Sequence, residues 1–290
     1  RALSMSTAAV SAALVAPARA SRLTRRRGVT TAKPRATALR VRAMAGGDAS
    51  GMKVIVVGGS GFVGSRVCDK LTAAGVADVV VVSKSGGSSG GVKCDLSSDE
   101  CVASLTETMR GADAVVSCVG VFKPGDDDFM REGNGAYNVR VVDAAKAAGV
   151  KRFVYVSVAS IVPEALGGAE SAPVMKGYFA GKKMTEDAIA NAFDDDNVCL
   201  VKPSFIFGGD TFGLNPPRVT QQYGDVLTKI LGSGFVKGIA EKSPGPIALT
   251  LAEPVAVDDV AGAVAAGVMG RNSSMSCDGT DEIKACAAAL

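Results

Sequence analysis

Histidine and tryptophan are both absent from the 290 residues, and the aromatics amount to 10 Phe and 4 Tyr. Without histidine there is no imidazole for general acid/base work, no Ser-His-Asp triad and no His-ligated zinc. Any proton transfer falls to Tyr, Lys, Asp, Glu or Cys, and no metal site is expected. No apolar run reaches the roughly 20 residues of a membrane-spanning helix, so contact with a membrane or lipid droplet is expected to be peripheral at most. The seven cysteines (Cys68, Cys94, Cys101, Cys118, Cys199, Cys277, Cys286) include no Cys-x-x-C pair. Their odd number argues against a full disulfide framework, and free thiols in a reducing compartment are the expectation. Few aromatics beside 35 Gly and 47% apolar residues point to Ala/Val/Gly-rich α/β packing around a parallel sheet.

Acidic residues are missing from positions 1–47, which hold ten Lys/Arg. The formal charge of +3 therefore conceals a body with 22 bases against 29 acids, a balance of about −7. The leader is rich in Ala, Ser, Thr and Arg, the composition of an organellar transit peptide, and it is set aside from the fold as a disordered segment. Its hydroxyl content and VRAMA junction resemble chloroplast peptides, with the mitochondrion as the alternative. RLTRRRG could also be read as a nucleic-acid arm, but no basic patch or run of stacking aromatics continues into the body, and no nucleic-acid partner is expected.

From position 48 onward the chain reads as one doubly wound α/β domain of Rossmann type with a small C-terminal substrate lobe, its elements drawn mainly from 208–290. Short Val/Ile runs alternate with segments of helical period. Strands are predicted at 53–57, 77–83, 92–94, 112–119, 152–157 and from 197 toward 207. Helices are predicted at 62–74, from a Ser97/Glu100 capping box toward Arg110, at 134–148 and at 177–193, with an amphipathic stretch at 219–231. The connections have the short lengths of such a sheet.

The first strand runs into GGSGFVG. Gly58 permits a tight turn, Gly61 lets backbone approach a pyrophosphate, and Gly64 packs helix against strand. Ser60, Phe62 and Val63 complete a loop whose following helix offers amide donors and a partial positive charge to an anion. At the end of the second strand, where an acid would receive an unmodified ribose, stand Ser83, Lys84 and Ser85. One cation and two hydroxyls suit a 2′-phosphate, so NADP(H) is the preferred cofactor and NAD(H) the alternative.

Tyr178 and Lys182 lie four apart on a predicted helix, which sets phenol and ammonium on one face. A neighbouring cation would favour the phenolate and bring its pKa toward a range useful for proton transfer.

With GGSGFVG, CDL at 94–96, SCVG at 117–120, NGAYN at 134–138, AAKAAGVKRFVYVS at 144–157, GYFAGK, LVKPSFIFG at 200–208 and PVAVDDVAGAV at 254–264, the chain resembles the extended or atypical branch of the short-chain dehydrogenase/reductases. RFVYVS, GYFAGKKMTED and KPSFIFG are similar to a subgroup with plastid plastoglobule proteins, the atypical reductase linked to coenzyme Q synthesis and the NADPH-binding accessory subunit of respiratory complex I. The resemblance implies that Asp95, with Leu96 beside it, meets the adenine, that Val119 and Gly120 line the cofactor, and that Pro203 lies near the nicotinamide. It also implies that Tyr178 is the acid/base, that Lys182 holds the nicotinamide ribose, and that Asn134 supports the site. The sequence departs from the superfamily at the end of the fifth strand, where Val158 stands in place of a Ser or Thr that bonds the substrate oxygen. Ser157 should face the opposite way, and Ser160 serves only if its loop bends back.

Two readings follow. One is a plastid NADP(H)-dependent oxidoreductase or isomerase acting on a small hydrophobic carbonyl or alcohol of prenylquinone or isoprenoid type, with Phe129, Met130, Phe179, Phe205, Phe207, Phe212 and Leu214 as candidate pocket or core residues. The other is a non-catalytic NADP(H)-binding protein with a structural, assembly or redox-sensing role.

Overall fold

The Val/Ile runs that the sequence spaces between helices assemble side by side. The computed structural model describes residues 49–87, 90–170, 172, 174–209, 213–214, 217–218, 220–233, 252–271 and 276–290; the proposed transit peptide at 1–47 and Phe212 lie outside them. Strands β1 (Lys53–Val57), β2 (Asp78–Ser83), β3 (Val92–Lys93), β4 (Ala114–Ser117), β5 (Arg152–Val156) and β6 (Val198–Lys202) alternate with α1 (Phe62–Ala73), α2 (Cys101–Met109), α3 (Asp127–Arg131), α4 (Tyr137–Ala147), α5 (Ile161–Ala165) and α6 (Lys176–Ala192). Short strands β7 (Ile206–Phe207), β8 (Gly213–Leu214) and β9 (Pro217–Arg218) lead to α7 (Gln221–Leu231), and β10 (Val255–Ala256), α8 (Val257–Val268), β11 (Ser276–Asp278) and α9 (Thr280–Ala287) close the chain.

Seven strands form one sheet in the order β11-β6-β5-β4-β1-β2-β3, and every pairing in it is parallel. Both faces are covered, which is why β1 reads as an unbroken apolar run. Val54 and Val56 face a core shared with α1, α8 and α9. Ile55 and Val57 face a second core with α2 and α4. The chain order reverses between β1 and β4, and the crevice above that point is where such sheets bind ligands.

Four expectations change. The predicted capping box does not form: Ser97 gives both its backbone N–H and its hydroxyl to Asp95, and Glu100, with no side-chain cap, precedes α2. The helix expected to open at Asn134 begins seven residues earlier, because Asp126 caps α3 by accepting from the Phe129 amide at 3.1 Å. A π-helical turn at Glu132–Ala136 then joins α3 to α4. The region after 208 divides: α8, β11 and α9 belong to the sheet and its core, leaving the small β7–β10 and β8–β9 pairs and α7 as the described parts of a lobe. Finally, Cys277 and Cys286 form a disulfide between β11 and α9, whereas Cys68, Cys94, Cys101, Cys118 and Cys199 are not disulfide-bonded, in line with the thiols expected.

Candidate functional site

Gly58, at φ +80°, turns the chain out of β1 in a conformation that only glycine adopts without strain. A side chain at Gly64 would place its Cβ 2.2 Å from the Gly58 carbonyl oxygen, so α1 seats directly on the loop. Gly61 precedes α1 without any side-chain cap, so the amides of the first helical turn, such as those of Val63 and Gly64, are the donors that this helix end offers to an anion. Ser60 is exposed beside them. This uncapped helix end and its glycine cradle fit a dinucleotide pyrophosphate.

Above the crevice lies a cavity of about 550 Å³. The rim of the glycine loop (Gly61–Val63), Cys118–Phe122 from the exit of β4, Val156–Val158 from β5, Tyr178 and Lys182 from α6, Pro203–Ile206 from β6, and Leu227 and Leu231 from α7 all line it. Val119, Gly120, Asn134, Tyr178, Lys182 and Pro203, drawn from several parts of the sequence, thus line one cavity.

The π-turn accounts for Asn134. Opening the helix by one residue directs its side chain toward the β4 exit loop, where the amide donates to Val121 and Met130 carbonyls at 2.8 Å each and the amide oxygen accepts from the Val121 N–H. The Asn134 carbonyl in turn accepts from Thr185 at 2.8 Å, Asn138 at 3.2 Å and Tyr155 at 3.4 Å. Asn138 also accepts from Ser117 at 2.6 Å, and so ties α4 to the end of β4. Asn138, Thr185 and Glu186 were not among the expected site residues. Their signal was spacing, since Asn138 lies four after Asn134 and Glu186 four after Lys182.

Lys182 is almost fully buried and donates to the Val156 carbonyl at 2.9 Å. Its ammonium lies 4.8 Å from the Tyr155 ring centre and 5.7 Å from that of Tyr178. Burial pushes its pKa down to about 8, against the opposing pull of the Glu186 carboxylate. Tyr178 is half-buried, with Phe122 and Phe179 edge-on at 5.9 and 5.6 Å, and burial pushes its phenol up to about 12. Phenol and ammonium share a face as the spacing predicts, but the expected lowering of the phenol's pKa is reversed: removal from water raises it.

Val158 lines the cavity, and neither nearby serine replaces it. Ser157 is hydrogen-bonded to Glu186, whose other carboxylate oxygen accepts from Lys202 at 3.0 Å. Ser160 gives its amide and hydroxyl to Asp278 at 3.0 and 2.5 Å.

At the far end of the crevice Ser83 is buried with no hydrogen-bond partner for its hydroxyl. Lys84 and Ser85 are exposed. Lys84 pairs with Asp95 at 3.3 Å, and hydrogen bonds from Ser97, then Lys84, hold the Asp95 carboxyl below its ordinary pKa. Leu96 is half-buried next to it and accepts from Arg140 through its carbonyl at 2.9 Å.

Of the apolar candidates, Phe205 lines the cavity, Met130, Phe179 and Phe207 are core, and Phe129 is exposed beneath the Lys123 ammonium. The side chain of Leu214 lies outside the described residues. Among the described residues no cluster of metal-ligating groups occurs, and no helix is long and apolar enough to cross a membrane.

Comparison with known proteins places these features in a family. The model of the NAD dependent epimerase/dehydratase family matches residues 54–234. A chloroplastic, uncharacterised protein of Arabidopsis thaliana is 34% identical over 227 residues, spanning 75% of this chain and 71% of the relative. A UDP-glucose 4-epimerase of Azospirillum brasilense is 30% identical over 162 residues, 50% of this chain and 45% of that one. Among solved structures, UDP-glucose 4-epimerase from Brucella ovis in complex with NAD superposes with a TM-score of 0.50 at 20% identity, covering 75% of this chain and 73% of the other.

Proposed function

The chain belongs to the NAD dependent epimerase/dehydratase family, and from that premise we propose that it is a plastid NADP(H)-dependent oxidoreductase that reduces the carbonyl of a small apolar substrate. The observation behind this reading is that one cavity holds the rim of the glycine loop, Asn134, Tyr178 and Lys182 within mainly aliphatic and aromatic walls. Lys182 is the one charged residue among its described lining residues. A sugar nucleotide needs cations for its diphosphate and donors for its hydroxyls, whereas a prenylquinone or isoprenoid carbonyl needs apolar area and one or two donors. The chloroplastic relative supports a plastid location.

The glycine loop would hold the pyrophosphate on the α1 amides, and Lys182 would hold the nicotinamide ribose. Ser83, Lys84 and Ser85 would receive a 2′-phosphate, with NAD(H) as the weaker ligand. These residues would hold the dinucleotide so that its hydride could pass to the carbonyl carbon. Tyr178 delivers the proton to the carbonyl oxygen, giving the alcohol. Burial keeps the phenol in its protonated form, the form that carries the proton to be delivered.

The second reading, a non-catalytic NADP(H)-binding protein, is favoured by Val158 together with the engagement of Ser157 and Ser160 elsewhere. The two separate on one assay. NADPH and NADH binding is measured, then NADPH absorbance is followed with quinone and isoprenoid carbonyls for wild type and Tyr178→Phe. Turnover that falls about 10²-fold or more in Tyr178→Phe is expected; tight NADPH binding with equal, near-zero turnover in both proteins would leave only the second reading.

A further inference from the structure

Polar side chains that line the cavity are mostly committed to the protein itself. Asn134 spends its amide on the Val121 and Met130 carbonyls, Lys182 donates to Val156, and Ser157 is bound to Glu186. Tyr178 and Ser204 remain. Ser204 follows Pro203 at the exit of β6, and the Pro203 carbonyl accepts from the Ala159 amide at 3.0 Å. That bond sets the β6 exit alongside the residues that follow β5, where Val158 lacks a hydroxyl. The only described contact of the Ser204 hydroxyl is 3.5 Å to the Glu253 carbonyl. This is well beyond the 2.7–2.8 Å usual for a hydroxyl donor, and the same carbonyl takes a much closer bond, 2.6 Å, from Thr280.

We propose that Ser204 is a catalytic residue of this site, supplying from β6 the hydroxyl that bonds the substrate oxygen beside Tyr178 in place of the one Val158 lacks. The proposal rests on the oxidoreductase reading only for the identity of that oxygen as a carbonyl. A cavity with two uncommitted hydroxyls in mainly apolar walls takes an apolar ligand that presents one hydrogen-bonding oxygen to them, and both hydroxyls are then satisfied by the same atom. As the carbonyl oxygen gains negative charge, a second donor strengthens with it, and loss of one such donor commonly lowers turnover by about 10² to 10³.

The test uses menadione as the quinone probe, with its Kd measured by calorimetry on NADP⁺-loaded protein and its turnover by NADPH absorbance. Ser204→Ala is expected to leave the NADPH Kd within about twofold, raise the menadione Kd about tenfold and lower kcat about 100-fold. Adding Val158→Ser to Ser204→Ala is expected to restore most of both, since it returns a hydroxyl to the neighbouring strand exit. Equal menadione Kd and kcat in wild type and Ser204→Ala would overturn the assignment, as would a wild type that binds no menadione. A wild type that binds menadione without turnover, but tenfold more tightly than Ser204→Ala, would overturn the oxidoreductase reading and retain Ser204 as the ligand's partner.

Discussion

The Lys182 ammonium donates to the carbonyl oxygen of Val156 at 2.9 Å, so a charge on α6 is held against the last residue of β5 with almost no access to water. Its pKa, about 8 against an ordinary 10.5, lies below the value in the unfolded chain. Protonation therefore favours unfolding: the full cost, about 3 kcal/mol, is present below pH 8 and is relieved as pH rises from 8 to 10.5. Relative to Lys182→Met, wild type should gain about that much stability across this interval, measured by urea unfolding at pH 7, 8, 9 and 10. A difference that stays constant with pH would contradict the buried-charge account. The same variant should lose turnover and weaken NADPH.

Gly64 and Gly177 predict separable losses. A Cβ at Gly64 meets the Gly58 carbonyl at 2.2 Å, and one at Gly177 meets the Asp127 carbonyl at 1.9 Å. Gly64→Ala should push α1 off its loop and raise the NADPH Kd at least tenfold. Gly177→Ala should move the start of α6 and with it Tyr178, lowering kcat while NADPH binding holds. Each should also cost about 1–3 kcal/mol of stability. Fluorescence titration of NADPH and steady-state rates measure the two effects, and the same pattern in both variants would count against the division of labour.

The Lys84–Asp95 pair bears on cofactor choice. Asp95 competes with a 2′-phosphate for the Lys84 ammonium at 3.3 Å. Lys84→Ala should weaken NADPH about five- to tenfold and leave NADH within about twofold, while Asp95→Asn should tighten NADPH about threefold. Both effects should shrink at 0.5 M salt because these groups are exposed. Tighter binding of NADH than NADPH by wild type would overturn the assignment of Ser83 and Lys84.

The disulfide between Cys277 and Cys286 closes a short loop joining the edge strand β11 to α9. By the entropy of loop closure, breaking it should cost about 2–3 kcal/mol. Thermal unfolding with and without dithiothreitol should show a drop on the order of 5 °C or more, absent in a Cys277→Ser/Cys286→Ser variant. Asp278, next to Cys277, holds Ser160, so reduction should also loosen the segment that follows β5.

Local periodicity and glycine spacing were sufficient to read six of the seven main-sheet strands, the glycine loop and the Tyr178–Lys182 face, because each depends on residues within a few positions of one another. The seventh strand, β11, is three residues long and shows itself only by pairing with β6. The π-turn that aims Asn134 packs closely on α6, Gly135 against Gly181, a contact between residues far apart in the chain. Long-range geometry also decided which side chains are committed. Sequence identified Val158 as the missing hydroxyl, but only the fold showed Ser157 held by Glu186, Ser160 held by Asp278 and Ser204 brought alongside. The Tyr178 pKa turned on tertiary structure for the same reason. Spacing set a cation beside the phenol, whereas the depth of burial, which no stretch of sequence specifies alone, determined the direction of the shift.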